Sequence, residues 1–535
     1  MPPSAEARVL PPRPLRLAAG VGISLGVAGL IALIFWSILA AGMGNPDAAG
    51  VDIPDLLRMT GVQAALTTVL SLLVGTALAW SLNRLRFPGR SLLVGLFSSA
   101  LVTPGMVVAF GLITVWGRNG WINGLGHAIF GQPLVGPIFG LGGILAAHVI
   151  LDGAFAARII LSRLDALPPA RLKLAQSLGL SPWQRFGLVD WPALAPSLPG
   201  LAAVIFLLAF TSFPIVLMLG GGPANQTLEV AIYSAVRLDF DLDSAVRLAL
   251  VQLAICSVVI ALTAARTPMP GRLETRALQL WPEHGPTRLL AMLILGLGTL
   301  GFALPLLAVL TGGFGPGLLH TLGRAAFWNA LWASLSLGTV SALLTLALGL
   351  GLTLGRATAA HPLLRLGLSL PAFIYLAVPA VVLALGFFLI VRHLGLAVPS
   401  AAPVVVVIAN ALLALPFALA TLGPAVEALV RTRGRLIRSL GISGVTQWRA
   451  IEWPLLTRDI GVVLAIAFCF SLGDLGVIAM FGTEQFSTLP LLMYRALGSY
   501  RSDDAASIAA ILLVLTVAAF ALLPPLIERL GHARA

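Results

Sequence analysis

The stretches RLKLAQSLGLSPWQRFGLVDWPAL (171–194) and RGRLIRSLGISGVTQWRAIEWPLL (433–456) are two copies of one polar loop in an otherwise apolar chain. At a constant offset of 262 residues, Ser177-Leu178-Gly179 recurs as Ser439-Leu440-Gly441, and Trp191-Pro192 recurs as Trp453-Pro454. Further on, Met218 and Gly220 recur as Met480 and Gly482. Past a one-residue deletion, Thr227-Leu228, Tyr233 and Asp243 recur as Thr488-Leu489, Tyr494 and Asp504. Matches in polar loops are not explained by the shared apolarity of helices. Each copy reads as two short helices joined by a turn. Pro168 and Pro169 precede the first helix, and Gly179 stands where a C-terminal glycine cap belongs. Ser181 is placed as an N-cap with Pro182 at the first helical position, and Trp191-Pro192 is expected to end that segment. The second copy repeats the pattern with Gly441, Ser443 and Trp453-Pro454.

Outward from these loops the chain is lipid-like. Of 535 residues, 58% are hydrophobic and 10% charged, against about 25% charged in a soluble domain. A helix needs about 20 apolar residues to cross the hydrocarbon core. Twelve runs qualify, near 17–43, 62–83, 92–116, 136–160, 197–219 and 246–265, then 288–312, 328–355, 367–391, 402–425, 460–481 and 505–527. The first run, with Arg8, Arg13 and Arg16 before it, is too long for a cleaved signal peptide and reads as a retained span. The runs are continuous rather than alternating, which excludes strands.

The net charge of +12 sits in short segments between the runs, where it sets membrane orientation rather than nucleic-acid binding. Arg84, Arg86 and Arg90, then Arg163, Arg171, Lys173 and Arg185, then Arg266, Arg272 and Arg276 fall on one side. Arg356 and Arg365, then Arg431, Arg433, Arg435, Arg438 and Arg449 continue that side. The opposite loops hold Asp47, Asp52 and Asp55, then Asp239, Asp241 and Asp243, then Asp503 and Asp504. The expectation is an all-α integral membrane protein of about twelve spans with both termini cytoplasmic. It divides into a six-span half at 1–265, a cytoplasmic linker at 266–287 and a second six-span half at 288–535. Both loops lie on one side, so the repeat is parallel, with a pseudo-twofold axis along the membrane normal.

In these loops the chain resembles the binding-protein-dependent ABC importer permeases. Their signature is Glu-Ala-Ala, three residues, Gly, nine residues, an aliphatic residue, one more, then Leu-Pro. Aligned on glycine, the first copy reads Lys173-Leu174-Ala175, Gly179, Val189 and Trp191-Pro192. The second reads Arg435-Leu436-Ile437, Gly441, Ile451 and Trp453-Pro454. A base replaces the glutamate and tryptophan replaces the leucine in both copies. The chain is further similar to the fused thiamine permeases of that family, through RFPGR (86–90), VWGRNGW (115–121), LGGGP (219–223) and LEVAIY (228–233). SLGDLGVIAMFG (471–482), TLP (488–490) and GSYRSDDAA (498–506) continue the likeness. The likeness implies thiamine and its phosphate esters as the imported substrate; the alternative within the class is a ferric-iron or other small-cation permease, since fused ferric-iron permeases share the architecture and the loop.

The resemblance implies an importer permease on the plasma (inner) membrane, built as two pseudo-symmetric six-helix units of the type I kind. Its coupling loops, through Lys173, Ala175, Ser177, Leu178, Gly179, Trp191 and Pro192, and Arg435, Ser439, Leu440, Gly441, Trp453 and Pro454, would each dock one copy of an ATP-binding subunit. A periplasmic substrate-binding protein would dock on the outward loops 220–245 and 482–504. An ion-coupled secondary transporter is the alternative from another class, since a parallel repeat of six spans fits it too; the loop spacing discriminates against it.

No enzyme site stands out. The only lysine, Lys173, lies between Leu172 and Leu174, so this chain has no P-loop, and ATP belongs on a partner rather than as a cofactor here. The seven histidines contain no HExxH pair, and Cys256 and Cys469 have neither metal nor disulfide spacing. Ionisable groups inside spans are costly and mark function or pairing. His148 and Asp152 share a helix face one turn apart, Asn410 occupies the repeat position of His148, and Asp474 lies among glycines in the eleventh run. Two readings stand: a polar path for a cationic substrate at the interface of the halves, or interhelical hydrogen bonds and an ion pair with Arg158. Tyr233 and Tyr494 fall in the outer loops as interface anchors.

Overall fold

A continuous apolar run in lipid can satisfy its backbone N–H and C=O groups only within a helix. The computed structural model describes residues 13–42, 52–263 and 285–532, and every regular element among them is helical. Most of the expected linker, with Arg266, Arg272 and Arg276, lies outside the described residues, as do Arg8 and Asp47.

In chain order come α1 (Pro14–Gly42), α2 (Ile53–Arg84), α3 (Arg90–Ser99), α4 (Gly105–Trp116), α5 (Leu141–Asp165) and α6 (Pro169–Ser177). α7 (Leu198–Phe210), α8 (Leu228–Arg237) and α9 (Leu242–Thr263) complete the first half of the chain. The second half holds α10 (Pro286–Gly313), α11 (Ala325–Thr358), α12 (Pro362–Ile374), α13 (Ala380–His393) and α14 (Val398–Ser439). α15 (Trp453–Gly473), α16 (Gly476–Phe481), α17 (Leu489–Gly498) and α18 (Ser502–His532) follow.

Among the described residues ten helices are long and apolar enough to cross a membrane; α12 and α13, bent by 103° at their junction, bring the number to eleven when counted together as one span. The run expected as one span at 92–116 is divided into α3 and α4, of 10 and 12 residues, by Ala100–Pro104. Pro104 supplies no N–H to the preceding turn and holds an extended ψ of 127° at the cap of α4. Pro379 stands in the same way before α13, with ψ 148°.

The first helix of each half crosses to the other. α1 packs along α11, α12 and α13, and α10 packs on α2 and α4 as well as on α18. These crossings are close because small residues face each other. A Cβ on Gly111 of α4 would lie 2.4 Å from the Pro305 carbonyl oxygen of α10, and one on Gly20 of α1 would lie 3.1 Å from Gly355 Cα of α11. Within the first half, α2 crosses α5 at Gly75, where a Cβ would meet Ala156 Cβ at 2.5 Å and the Gly153 carbonyl oxygen at 2.9 Å.

Gly75→Val therefore forces α2 and α5 apart and should lower stability by about 1–3 kcal/mol. Gly22→Val on the exposed face of α1, where nothing lies within 4 Å, should leave it unchanged. The melting temperatures of the two purified variants test this; equal values would refute the packing argument.

Candidate functional site

The two loops are built on one plan with two different supports. In the first, α5 ends at Asp165 and Pro168-Pro169 starts α6 afresh. α6 closes in a Schellman turn: Gly179 has φ +63°, its N–H donates to Gln176 O at 3.1 Å, and Leu180 N–H donates to Ala175 O at 3.3 Å. Ser181 then caps the next segment in a capping box, its hydroxyl accepting from Gln184 N and its own N–H donating to Gln184 Oε1 at 2.9 Å.

The second copy keeps the turn but not the break or the box. Gly441 also has φ +63°, yet the helix before it is the end of the 42-residue α14, because Val430-Arg431 stand where Pro168-Pro169 do. Ser443 makes no side-chain cap. Gly444, at φ +62°, takes the place of Pro182, and Thr446, at the Gln184 position, is too short to reach back to the Ser443 N–H.

Trp191-Pro192 and Trp453-Pro454 do not end the segment, contrary to expectation. Each follows a five-residue π-turn, Phe186–Asp190 or Trp448–Glu452, and the helix continues into the span. The wider turn accommodates a proline that lacks its N–H. Across each π-turn two rings meet alike, Phe186 with Trp191 at 6.3 Å and Trp448 with Trp453 at 5.9 Å.

The last residue of each π-turn is a buried acid, Asp190 or Glu452. Asp190 pairs with Arg84 at the end of α2, both side chains being buried. Glu452 is held from the far end of the chain: Arg16 of α1 donates from both terminal nitrogens at 2.6 and 2.8 Å, and Gln447 Nε2 donates at 2.7 Å. Arg13 adds a bond to the Ile442 carbonyl at 3.1 Å.

The outer faces of the loops are apolar at repeat-related positions. Leu174, Leu178 and Trp183 are 60–77% exposed, and Leu436, Leu440 and Val445 are 43–65% exposed. Lys173, Gln176 and Ser177, and Arg435, Arg438 and Ser439, are exposed beside them, so this face lies in a polar environment rather than in lipid. Ala175 and its counterpart Ile437 turn inward and are buried.

The four polar residues expected inside the spans separate into two places. Asn410 and Asp474 come together: the Asn410 amide donates to Ser471 Oγ at 3.0 Å and also reaches the Asp474 carboxylate. Both line a cavity of about 210 Å³ whose far wall is the α3–α4 break, Leu101–Pro104. Asp474 also accepts from Val477 N at 3.1 Å and Ile478 N at 3.3 Å, and so caps α16. His148 and Asp152 form a buried pair of their own on α5 at 3.3 Å. Arg158 donates to Ser98 Oγ at 3.1 Å.

At the opposite end, α8 and α17 are hung alike. Leu228 N–H donates to Thr60 Oγ1 at 3.0 Å and Leu489 N–H to Ser334 Oγ at 2.8 Å. Arg237 joins the halves by donating to the Gly482 carbonyl at 3.2 Å. In the first turn of α8, Glu229 is buried and accepts from Gln252 Nε2 of α9 at 3.0 Å.

Relatives of known name match nearly end to end. A thiamine transport system permease protein of Brucella melitensis is 36% identical over 509 residues, 92% of this chain and 93% of that one. That of Salmonella typhimurium is 35% identical over 522 residues, 97% and 96% of the two chains. The chain belongs to the family of thiamine transport system permease proteins. A molybdenum transport system permease protein of Azotobacter vinelandii is 31% identical over 176 residues, a third of this chain but 76% of that protein. No family model matches. As a permease of this family the chain is a multi-pass transport subunit and not an enzyme.

No sequence pattern joins Asp190, Glu452, Arg16 and Arg84 as a set. An acid directly before Trp-Pro in both copies was the available signal for the first two. Arg16→Met removes two charge-assisted hydrogen bonds from a buried carboxylate and should cost about 3 kcal/mol. Arg16→Lys, which keeps the charge but not the fork, should cost less. Thermal unfolding of the three proteins gives the order; a wild-type midpoint for Arg16→Met would contradict the role assigned to the pair.

Proposed function

We propose that this chain is the membrane-spanning permease of an ATP-driven thiamine importer, working by alternating access. The observation that carries the reading is the match to thiamine permeases over more than nine-tenths of both chains. ATP is hydrolysed on a separate subunit. Two copies of it dock, one on each loop, through the exposed Leu174-Leu178-Trp183 and Leu436-Leu440-Val445 faces. Burying one such side chain fully is worth roughly 1.5–3 kcal/mol, and repetition at equal spacing supports two equivalent docking sites. Lys173 and Arg435 stand where the signature has glutamate, so the groove that meets them presents acid or backbone carbonyl groups there.

The chain lies in the bacterial inner membrane with its loops, its linker at 266–287 and both termini on the cytoplasmic side, as the arginine distribution supports. Residues 1–265 and 288–535 act as the two permease units, rocking about the pseudo-twofold axis. The single-unit length of the molybdenum permease match favours this division. A periplasmic binding protein delivers thiamine to the α8 and α17 loops. The cavity at Asn410 and Asp474, between the two halves, receives the thiazolium cation; His148 and Asp152 line the path on the other half.

Uptake of labelled thiamine at nanomolar concentration, in cells with and without the gene, tests the substrate. Uptake should be lost with the gene and restored by the intact chain. Unchanged uptake in a strain lacking any second importer would exclude thiamine. Leu178→Asp with Leu440→Asp should abolish transport while ATP hydrolysis by the assembled partner no longer responds to binding protein and substrate. Retained coupled transport in that double variant would remove the docking assignment.

A further inference from the structure

One arginine-rich cavity is not used by the transport reading. It lies between α11, α12 and α14, at the end of the molecule that carries the loops, and has a volume of about 780 Å³. Arg356, Arg365, Arg431 and Arg435 line it against a single acid, Glu427. Arg356 and Arg365 are half-buried, while Arg431 and Arg435 are exposed at its rim. Gly423, Val426 and Val430 of α14 form an apolar stretch of the wall, with Ala357, Thr353 and Thr432 completing the lining.

The repeat shows what this place looks like when it is filled from within. Glu427 stands at the position of Asp165 in the first half. Arg365 matches Arg90: each turns its Nε back onto a carbonyl at the end of the preceding helix, Ala359 O at 2.7 Å and Leu82 O at 2.9 Å. In the first half Asp165 points inward, accepts from Asn83 Nδ2 at 3.0 Å and faces Arg90 at 3.9 Å, with 10% of its side chain exposed. In the second half Glu427 is 67% exposed and reaches only sideways to Arg356 at 3.2 Å. The internal anion of the first half has swung out of the second, and the cavity opens where it would have been.

We propose that this cavity binds the phosphate of an anionic phospholipid headgroup, with the adjoining acyl chain against the Gly423-Val426-Val430 wall. Guanidinium forks match phosphate oxygens in pairs, and basic pockets between helices at this depth suit headgroups. An apolar wall beside the arginines fits an amphiphile better than a free ion. Arg435 belongs to both the rim and the second loop, so headgroup occupancy is tied to the position of that loop.

The full chain, purified in mild detergent and stripped of lipid, would be titrated with dihexanoyl phosphatidylglycerol, dihexanoyl phosphatidylcholine and inorganic phosphate, reading melting temperature. Phosphatidylglycerol should raise it saturably and phosphatidylcholine should not. Arg356→Gln with Arg365→Gln should weaken apparent binding about tenfold or more, and Glu427→Gln should tighten it. If the arginine variant does not fold, the Glu427→Gln shift decides alone. Inorganic phosphate acting as well as phosphatidylglycerol would overturn the lipid assignment. Equal responses to the two lipids, or no tightening in Glu427→Gln, would overturn the site.

Discussion

A carboxylate withdrawn from water stands at the root of each loop, and the way it is satisfied fixes how the loop is carried. Taking an ion out of water costs several kcal/mol even after relaxation, so Glu452, fully buried, requires its donors to stay. Those donors are Arg16 on α1 and Gln447 one π-turn away. The geometry ties three things together: the start of α1, the second loop and the first turn of α15. Asp190 and Arg84 tie the first loop to the end of α2 in the same manner. A force applied to a loop surface therefore reaches the spans through short, directional bonds rather than through a flexible linker. α2 delivers it to α5 at the Gly75 crossing, and α15 delivers it to α18 and α11.

The two supports are not equivalent, and the difference follows from a few residues. Pro168-Pro169 break the first loop away from its span, and a capping box then stiffens its turn. Without those prolines the second loop is the tip of a 42-residue helix, already rigid, with Gly444 providing slack where the first has Pro182. The second loop is also gripped by Arg13 and Arg16 from the other half's first helix. The first loop is separated from its span by prolines and closed by a capping box; the second continues the helix of its span and follows it with glycine and no side-chain cap.

Much of this was legible residue by residue, and the misses have physical causes. Gly179 and Gly441 were readable as left-handed caps because no other residue enters that region cheaply after a helix. Ser181 was readable as a cap because Pro182 follows at the first helical position; the box it closes with Gln184 is seen only in the structure. The break at Pro104 was hidden by hydropathy, which runs on unchanged through Leu101-Val102 although the backbone does not. Trp-Pro reads as a stop because a proline normally ends a helix; a π-turn ahead of it leaves no signal of its own in composition. Arg16 and Glu452 are 436 residues apart in sequence, and no local pattern joins them. The repeat paired His148 with Asn410 by position, but their neighbours differ. Asp474 has Ser212 as its counterpart, so the acid near Asn410 has no partner acid near His148 except Asp152 on the same helix.

That asymmetry bears on what the central cavity can do. A carboxylate offers about four acceptor directions, and Asp474 spends three on the Gly476, Val477 and Ile478 amides of α16 and another toward Asn410. The amides carry the positive end of a short helix, which offsets part of the charge. What remains toward the cavity is a weakened negative centre, on one side of the pseudo-twofold axis only. A bare buried carboxylate would hold a monocation too firmly to release it, and it would need its own counter-ion whenever the site stood empty. The cap satisfies Asp474 in the empty state while leaving a residual attraction for a cation. For a carrier that must bind and let go within one cycle, a partly neutralised acid is the better-suited group, and its capping role and a substrate role are therefore compatible rather than competing.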